Sequence, residues 1–347
     1  MESIEDLINK TSDKHPIKQA YINKHRYYTD FIETMVVFQE NLTKKEYENL
    51  LKKFLFDKEY DRQRYLQIVS EINVLYYVLR VHNNNFKYEP KYNNGYNPEC
   101  SFEFRNKSIN IEVKCPNMEK RITTEERNTL KIFLVERLIK HKAIINEISN
   151  FIGHNYVGSD YSGIEESTRM DNKLKDFLKS AQNKFPISTG LNLNILVISL
   201  ETLSDMDEWY LYVFGGNGVF TEKSFVLDEY ENVDAILLTT SATGHAGWYY
   251  YEDVNVWKLE ETLSILLLNP DRELTETGEF YISDGIDLFG GLSKEFLCFL
   301  NKLDENNKEK WKDEAGDNWR LRYYEEKLKE MQIVSEFSNY LKNGCKL

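Results

Sequence analysis

The sequence predicts an α/β protein: a mixed sheet flanked by helices, with helical additions at the N- and C-terminal ends. Three observations carry this. Apolar residues recur at helical spacing through residues 1–60 and again from about 271. Two alternating runs, CSFEF (100–104) and SINIEVK (108–114), are joined by RNK, the signal of a β-hairpin. Short apolar runs, NLNILVISL (192–200) and VDAILLTTS (233–241), follow further helical patterns, as in a layered α/β domain.

The elements follow in order. YTDFIETMVVFQENL and KKEYENLLKKFLF predict helices within 1–60, and DRQRYLQIVSEINVLYYVLRVH predicts another over 61–82. Residues 83–99 are rich in Asn, Gly and Pro and read as turn, with at most a short strand at Phe86–Tyr88. After the hairpin comes a long helical pattern over 119–150, broken by a Gly/Ser/Asp-rich stretch at 153–167. STRMDNKLKDFLKSAQNKF predicts an amphipathic helix opened by a Ser/Thr cap and ended by Pro186 and Gly190. WYLYVF (209–214) reads as a strand, and VNVWKLEETLSILLLN (254–269) as a strand turning helical. A closing amphipathic helix carries Leu321, Tyr324, Leu328, Met331, Val334 and Phe337 in one stripe. This divides the chain into a helical region (1–60), a core (61–270) with a helical insertion at about 116–168, and a helical region (271–347).

Composition narrows the function classes. No run of eighteen apolar residues marks a membrane span, and the polar, acidic start MESIEDLINKTSDKHP does not resemble a secretion signal. The four cysteines lack CxxC spacing, so they read as reduced thiols in a cytoplasmic protein. The six histidines show no HxxxH or HxH pair for a transition-metal cage. A net charge of −13 means that any nucleic-acid site needs a local basic groove or metal ions. The bias toward Lys, Asn, Ile and Tyr suggests an AT-rich bacterial or phage genome.

The chemistry gathers around INIEVKCP (109–116). Glu112 and Lys114 sit two apart on a strand, so they share a face about 6.5–7 Å apart, while Ile111 and Val113 face the core. One reading is an ion pair on a solvated edge strand, which is worth little. The other is a site, and two more carboxylates point to it. Glu99 opens the first hairpin strand, which the hairpin brings beside the end of the second. Glu71, on the 61–82 helix, lies in an apolar arc with Ile68, Leu75 and Val78, where a carboxylate needs a partner or a cation. Three converging carboxylates and a lysine suit a hard divalent cation, Mg²⁺ or Mn²⁺. Such an ion polarises a phosphodiester and lowers the pKa of water, and Lys114 would orient the attacking water.

SEINV followed by NPECSFEFRNKSINIEVKCP resembles the PD-(D/E)XK nuclease superfamily. Glu71 matches its helix carboxylate, Pro98-Glu99 its Pro-Asp with Glu in place of Asp, and Glu112-Val113-Lys114 its Glu-x-Lys. The resemblance covers about 65–200. It implies a restriction-endonuclease-like core and a Mg²⁺- or Mn²⁺-dependent endonuclease, with DNA ahead of RNA as substrate and a role in bacterial restriction or anti-phage defence. It implies Glu71, Glu99 and Glu112 as metal ligands, with Lys114 assisting the water. It also implies a Lys or Gln from the following helix, where Gln182 is the candidate and an exposed surface residue is the alternative. Glu103 shares strand parity with Glu99 and is the alternative second ligand. Double-strand cleavage implies a homodimer or a partner held through the flanking helices. The alternative is a nuclease-like scaffold that has lost catalysis and serves in binding or assembly.

Other motifs carry less. GGNGVF (215–220) lacks the Lys-Ser/Thr of a phosphate loop, TTSATGHAGW (239–248) reads as a loop, and SDMDEW (204–209) as a solvated turn. The basic residues Lys120, Arg121, Arg127, Lys131, Arg137, Lys140 and Lys142 either track a nucleic-acid backbone or form an ordinary charged helix surface.

Overall fold

The computed structural model describes residues 3–92, 97–117, 130–132, 147, 150, 164–166, 170–189, 191–214, 219 and 230–269. The turn predicted at GGNGVF and the closing helix therefore lie outside the described residues, except for Val219, as do most of the basic residues after Lys114. Two compact units divide the chain, one formed by 1–115 with 178–347 and the other by 116–177.

In the first unit, five helices precede the sheet: α1 (Ile4–Lys10), α2 (Pro16–Ile22), α3 (Arg26–Asn41), α4 (Lys44–Lys53) and α5 (Arg62–Val81). Local chemistry sets their starts. Thr43 and Glu46 form a capping box on α4, and Asp61 caps α5 by accepting the Arg64 N–H at 3.0 Å. The strands are β1 (Lys87–Tyr88), β2 (Cys100–Phe104) and β3 (Lys107–Lys114). The β2–β3 turn is two residues, Arg105 and Asn106, both at positive φ (48° and 62°), the backbone that matches strand twist in a tight hairpin.

Within 116–177, β4 (Leu130–Ile132) pairs in parallel with β5 (Ile164–Glu166). Those residues are strands, where a helical pattern and a polar interruption were expected. Triplets as short as Ile164–Glu166 take their conformation from pairing rather than from local spacing.

Helix α6 (Met170–Lys184) leads into β6 (Asn192–Ser199), α7 (Leu203–Phe214), β7 (Ala235–Thr239), α8 (Ser241–Ala246) and β8 (Ser264–Leu268). The six-stranded sheet has the order β1-β2-β3-β6-β7-β8. Its outer pairs are antiparallel, and β3, β6 and β7 run parallel in the middle. This is the mixed α/β sheet the sequence predicts.

Four elements differ from expectation. WYLYVF belongs to α7, because Thr202 accepts the Asp205 N–H at 3.0 Å and starts a helix that buries Met206, Trp209, Tyr210 and Val213. The same start puts SDMDEW within a helix, with Asp205 buried. SATGHA is the short helix α8, whose Gly244 is needed because a Cβ there would sit 2.9 Å from Val256 Cβ. VNVWKLEETL holds no strand; it makes one 3₁₀ turn at Leu259–Glu261 and leads into β8, the reverse of a strand turning helical.

Helix α5 is buried along both faces from Tyr65 to Leu79, so its polar residues Ser70, Asn73 and Tyr77 are interior as well. Each of the first two has a bond: Ser70 Oγ donates to Leu66 O, and Asn73 Nδ2 to Val256 O at 2.9 Å.

Two histidines are buried beside this helix. His15 Nδ1 accepts the Ile17 N–H at 3.3 Å, and its Nε2 has no hydrogen-bond partner. His245 lies 2.6 Å from the Tyr27 hydroxyl and 2.9 Å from Asn73 Oδ1. Burial lowers His15 to about 4 and His245 to about 3. An unfolded histidine protonates near 6.5, so the unfolded chain binds more protons between pH 6.5 and 4. The stability that comes from keeping these histidines neutral is complete above pH 6.5 and is lost as pH falls toward 4, with His15 alone accounting for about 3 kcal/mol. Urea unfolding at pH 7.5, 6 and 4.5 checks this: His15→Asn, which keeps a cap, is expected to flatten the decline. A decline equally steep in wild type and variant would contradict neutral burial of His15.

Candidate functional site

The sheet and helix α5 bring three of the predicted carboxylates, Glu71, Glu99 and Glu112, to one place. Hairpin register sets Cys100 opposite Ile111, and Glu99, one residue earlier, comes near Glu112, with Lys184 reaching both. The Glu99 N–H donates to Ile111 O at 2.8 Å, one residue off the ladder register, so the chain bulges at Glu99 just before β2. Two buried carboxylates this near repel, and the Glu99 charge raises Glu112, so the pair requires cations. Strand β3 is the third of six, not an edge, and Glu112 is 0% exposed. That removes the reading of Glu112 and Lys114 as a solvated surface pair.

Glu71 comes from α5. Gln67, one turn earlier, fixes it: Nε2 donates to Glu71 Oε1 at 2.8 Å and to Val113 O at 3.1 Å, while Oε1 accepts the Cys115 N–H at 2.8 Å. One amide thus stitches the helix to the end of β3 and aims the carboxylate.

Three lysines hold the acidic groups. Lys114 Nζ and Lys184 Nζ each lie 2.6 Å from Glu112 Oε1, and Lys184 is 3.7 Å from Glu99 Oε1. Lys53 Nζ lies 2.8 Å from Glu89 Oε1, 3.1 Å from Glu71 Oε2 and 3.2 Å from Glu99 Oε2. Both contacts to Glu112 fall on Oε1, and its Oε2 is buried with no hydrogen-bond partner. An orphaned buried carboxylate oxygen is costly unless a cation completes it.

The electrostatics follow from burial. Desolvation, then the Glu99 charge, pushes Glu71 up to about 7, against the pull of Lys53 and Gln67. The same two causes raise Glu112, against Lys114 and Lys184. Burial alone would lower Lys53, but Glu99 and Glu71 outweigh it and raise it. Lys184 is raised in the same way by Glu112 and Glu99.

Gln182 is not in this cluster. Its Oε1 accepts the Asn232 N–H at 2.8 Å and ties α6 to the loop before β7. Gln182 and Lys184 lie about 200° apart around a helix, so only one can face the carboxylates, and Lys184 does. Glu103 is exposed near the hairpin turn, four residues from Glu99 along β2. Lys53, Lys184 and Gln67 are members of the cluster that sequence reasoning missed.

The residues fit a divalent cation in donor chemistry, with hard oxygens and one orphaned atom. As they stand, ammoniums rather than one shared point gather them: among the described residues no three His, Cys, Asp or Glu side chains are placed to hold a metal ion. None of the described helices is long and apolar enough to cross a membrane. Comparison with family models, with curated proteins and with solved structures found no match.

Proposed function

We propose that this chain is a Mg²⁺- or Mn²⁺-dependent nuclease of the PD-(D/E)XK type that hydrolyses phosphodiester bonds, with DNA as its substrate. One observation carries the reading: Glu71, Glu99, Glu112 and Lys114, singled out by that motif, gather at one end of β3, with Glu71 and Glu99 sharing Lys53, Glu99 and Glu112 sharing Lys184, and Lys114 on Glu112. The order of helix, hairpin, helix and strand from α5 to β6 supports a restriction-endonuclease-like core.

Glu71, Glu99 and Glu112 would hold the ion, which supplies Lewis acidity toward the phosphodiester and lowers the pKa of water. The chain does the rest. Gln67 keeps Glu71 aimed at the site. Lys114 orients the attacking water and faces the charge that grows on the phosphorus oxygens. Lys184, rather than Gln182, is the helix residue that offsets the Glu99–Glu112 repulsion. A homodimer or a partner through the flanking helices, acting on two strands, belongs to the same proposal.

A second reading is a nuclease-like scaffold without catalysis. The lysine pairing of all three carboxylates favours it. Plasmid and single-strand cleavage with Mn²⁺ or Mg²⁺, beside melting curves with and without the ion, separates the two. The nuclease gives cleavage and a metal-dependent rise in Tm, whereas the scaffold gives neither.

Metal affinity is expected to depend on pH. Glu71 holds its proton to about 7, so below that pH the ion displaces a proton on binding. Mn²⁺ affinity should fall by up to about tenfold per pH unit below 7. Titrations of Mn²⁺ at pH 8, 7 and 6 check it, and a flat profile would remove Glu71 from the ligand set.

A further inference from the structure

Lys53 stands apart from the other site residues because no motif residue calls for it and it alone among the described residues pairs with three carboxylates. It ends α4, which lies before the motif-bearing segment, and it reaches Glu71, Glu99 and Glu89 at 3.1, 3.2 and 2.8 Å. Its ammonium also lies 5.6 Å from the centre of the Tyr88 ring. Carboxylates on several sides and an aromatic face make a cation cage. Two of its oxygens, Glu71 Oε2 and Glu99 Oε2, belong to the carboxylates that the proposed function assigns to a divalent ion.

We infer that Lys53 is a built-in cationic plug: its ammonium occupies the cation position between Glu71 and Glu99, and a divalent ion enters only when it swings aside. The inference rests on the metal-dependent reading of the site. Both charges cannot share these oxygens, because they would stand about 4 Å apart and repel strongly in a buried setting. A bulk movement of α4 is not required. Leu50, Leu51 and Phe54 anchor the helix in the core, and Phe54 stacks on Phe56. The lysine side chain itself is flexible and 29% exposed. Glu89 offers the place to swing to. It makes the shortest of the three contacts, and its side chain is 37% exposed, at the outer side of the cage. When the ion takes Glu71 and Glu99, Lys53 stays on Glu89. The device holds the site in a charge-balanced closed state until the ion competes successfully.

Binding of Mn²⁺, followed by the free-ion signal in electron paramagnetic resonance, tests this on the full chain. Lys53→Met removes the ammonium and keeps an unbranched stem. It is expected to bind Mn²⁺ at least about tenfold more tightly than wild type, or to bind where wild type does not. Glu89→Gln removes the parking acceptor at an outer position that leaves the core intact, and should weaken Mn²⁺ binding several-fold. Equal affinity of Lys53→Met and wild type would overturn the plug while leaving the metal site standing. Weaker binding by Lys53→Met would overturn it too, making Lys53 a support for the site. Absence of binding in both would overturn the plug and the metal-dependent reading together. If Lys53→Met does not fold, Lys53→Gln, neutral but able to hydrogen-bond the carboxylates, decides: tighter Mn²⁺ binding than wild type upholds the plug, and equal or weaker binding, or no binding in either protein, ends it.

Discussion

Glu112→Gln and Lys114→Ala are each expected to reduce metal-dependent cleavage by at least about 10²-fold, the range for removing a group that handles charge or protons in the transition state. Glu112 is the most enclosed of the carboxylates, at 0% exposure, and Oε2 has no partner. Gln keeps the volume and removes the charge that a cation needs. The fold should tolerate it, because Lys114 and Lys184 are 19% and 25% exposed and can turn to water, and Lys184 keeps Glu99. Lys114→Ala removes the ammonium facing the reacting oxygens and leaves the carboxylates in place, so Mn²⁺ binding should survive while cleavage does not. Glu103→Gln, on the same strand pair but exposed near the turn, is the matched control and should stay within about twofold. Cleavage rates on supercoiled plasmid, with circular dichroism for the fold, read all three. Activity that survives both Glu112→Gln and Lys114→Ala would place the chemistry elsewhere.

The residues legible in the sequence are those whose position follows from a single period. Glu112 and Lys114 share a face because strands alternate, Glu99 meets them because a two-residue turn fixes the register, and Glu71 announces itself as a carboxylate in an apolar arc. Lys53 and Lys184 were illegible for the opposite reason. A lysine in the last turn of KKEYENLLKK, or at the end of NKLKDFLKSAQNK, has the pattern of a solvated residue near a helix C-terminus. Only the packing of those helices on the sheet turns it inward. The same limit explains α7. WYLYVF has strand propensity residue by residue, and the Thr202–Asp205 cap, which signals a helix, lies upstream of the run. Helix α5 was legible as a helix, but its second buried face depends on Asn73 finding Val256 and His245, partners far away in the chain.

Those distant partners set the second large effect: Trp257→Ala is expected to cost about 3–5 kcal/mol of stability. Trp257 is fully buried in the irregular stretch before β8. Its ring packs against Tyr27 at 5.1 Å, Phe31 at 5.2 Å and His245 at 4.6 Å between centroids, and Nε1 donates to Tyr27 O at 3.1 Å. Truncation therefore does three things at once. It removes a large apolar surface, leaves a cavity between α3 and α8, and takes the N–H from the Tyr27 carbonyl. Trp257→Phe separates these. Phe keeps much of the ring contact and lacks the donor, so it should cost about 1–3 kcal/mol, the range for an unmet buried hydrogen bond. Urea denaturation followed by circular dichroism avoids relying on the fluorescence of the ring being deleted. Equal losses for Ala and Phe would mean that the hydrogen bond, not the packed ring, ties the segment to α3. A loss below about 1 kcal/mol for Ala would mean that the segment adds little to the fold. The larger loss for Ala is expected, because the neighbouring Tyr27 also bonds His245 and Tyr65, and its ring loses support on one side when the indole goes.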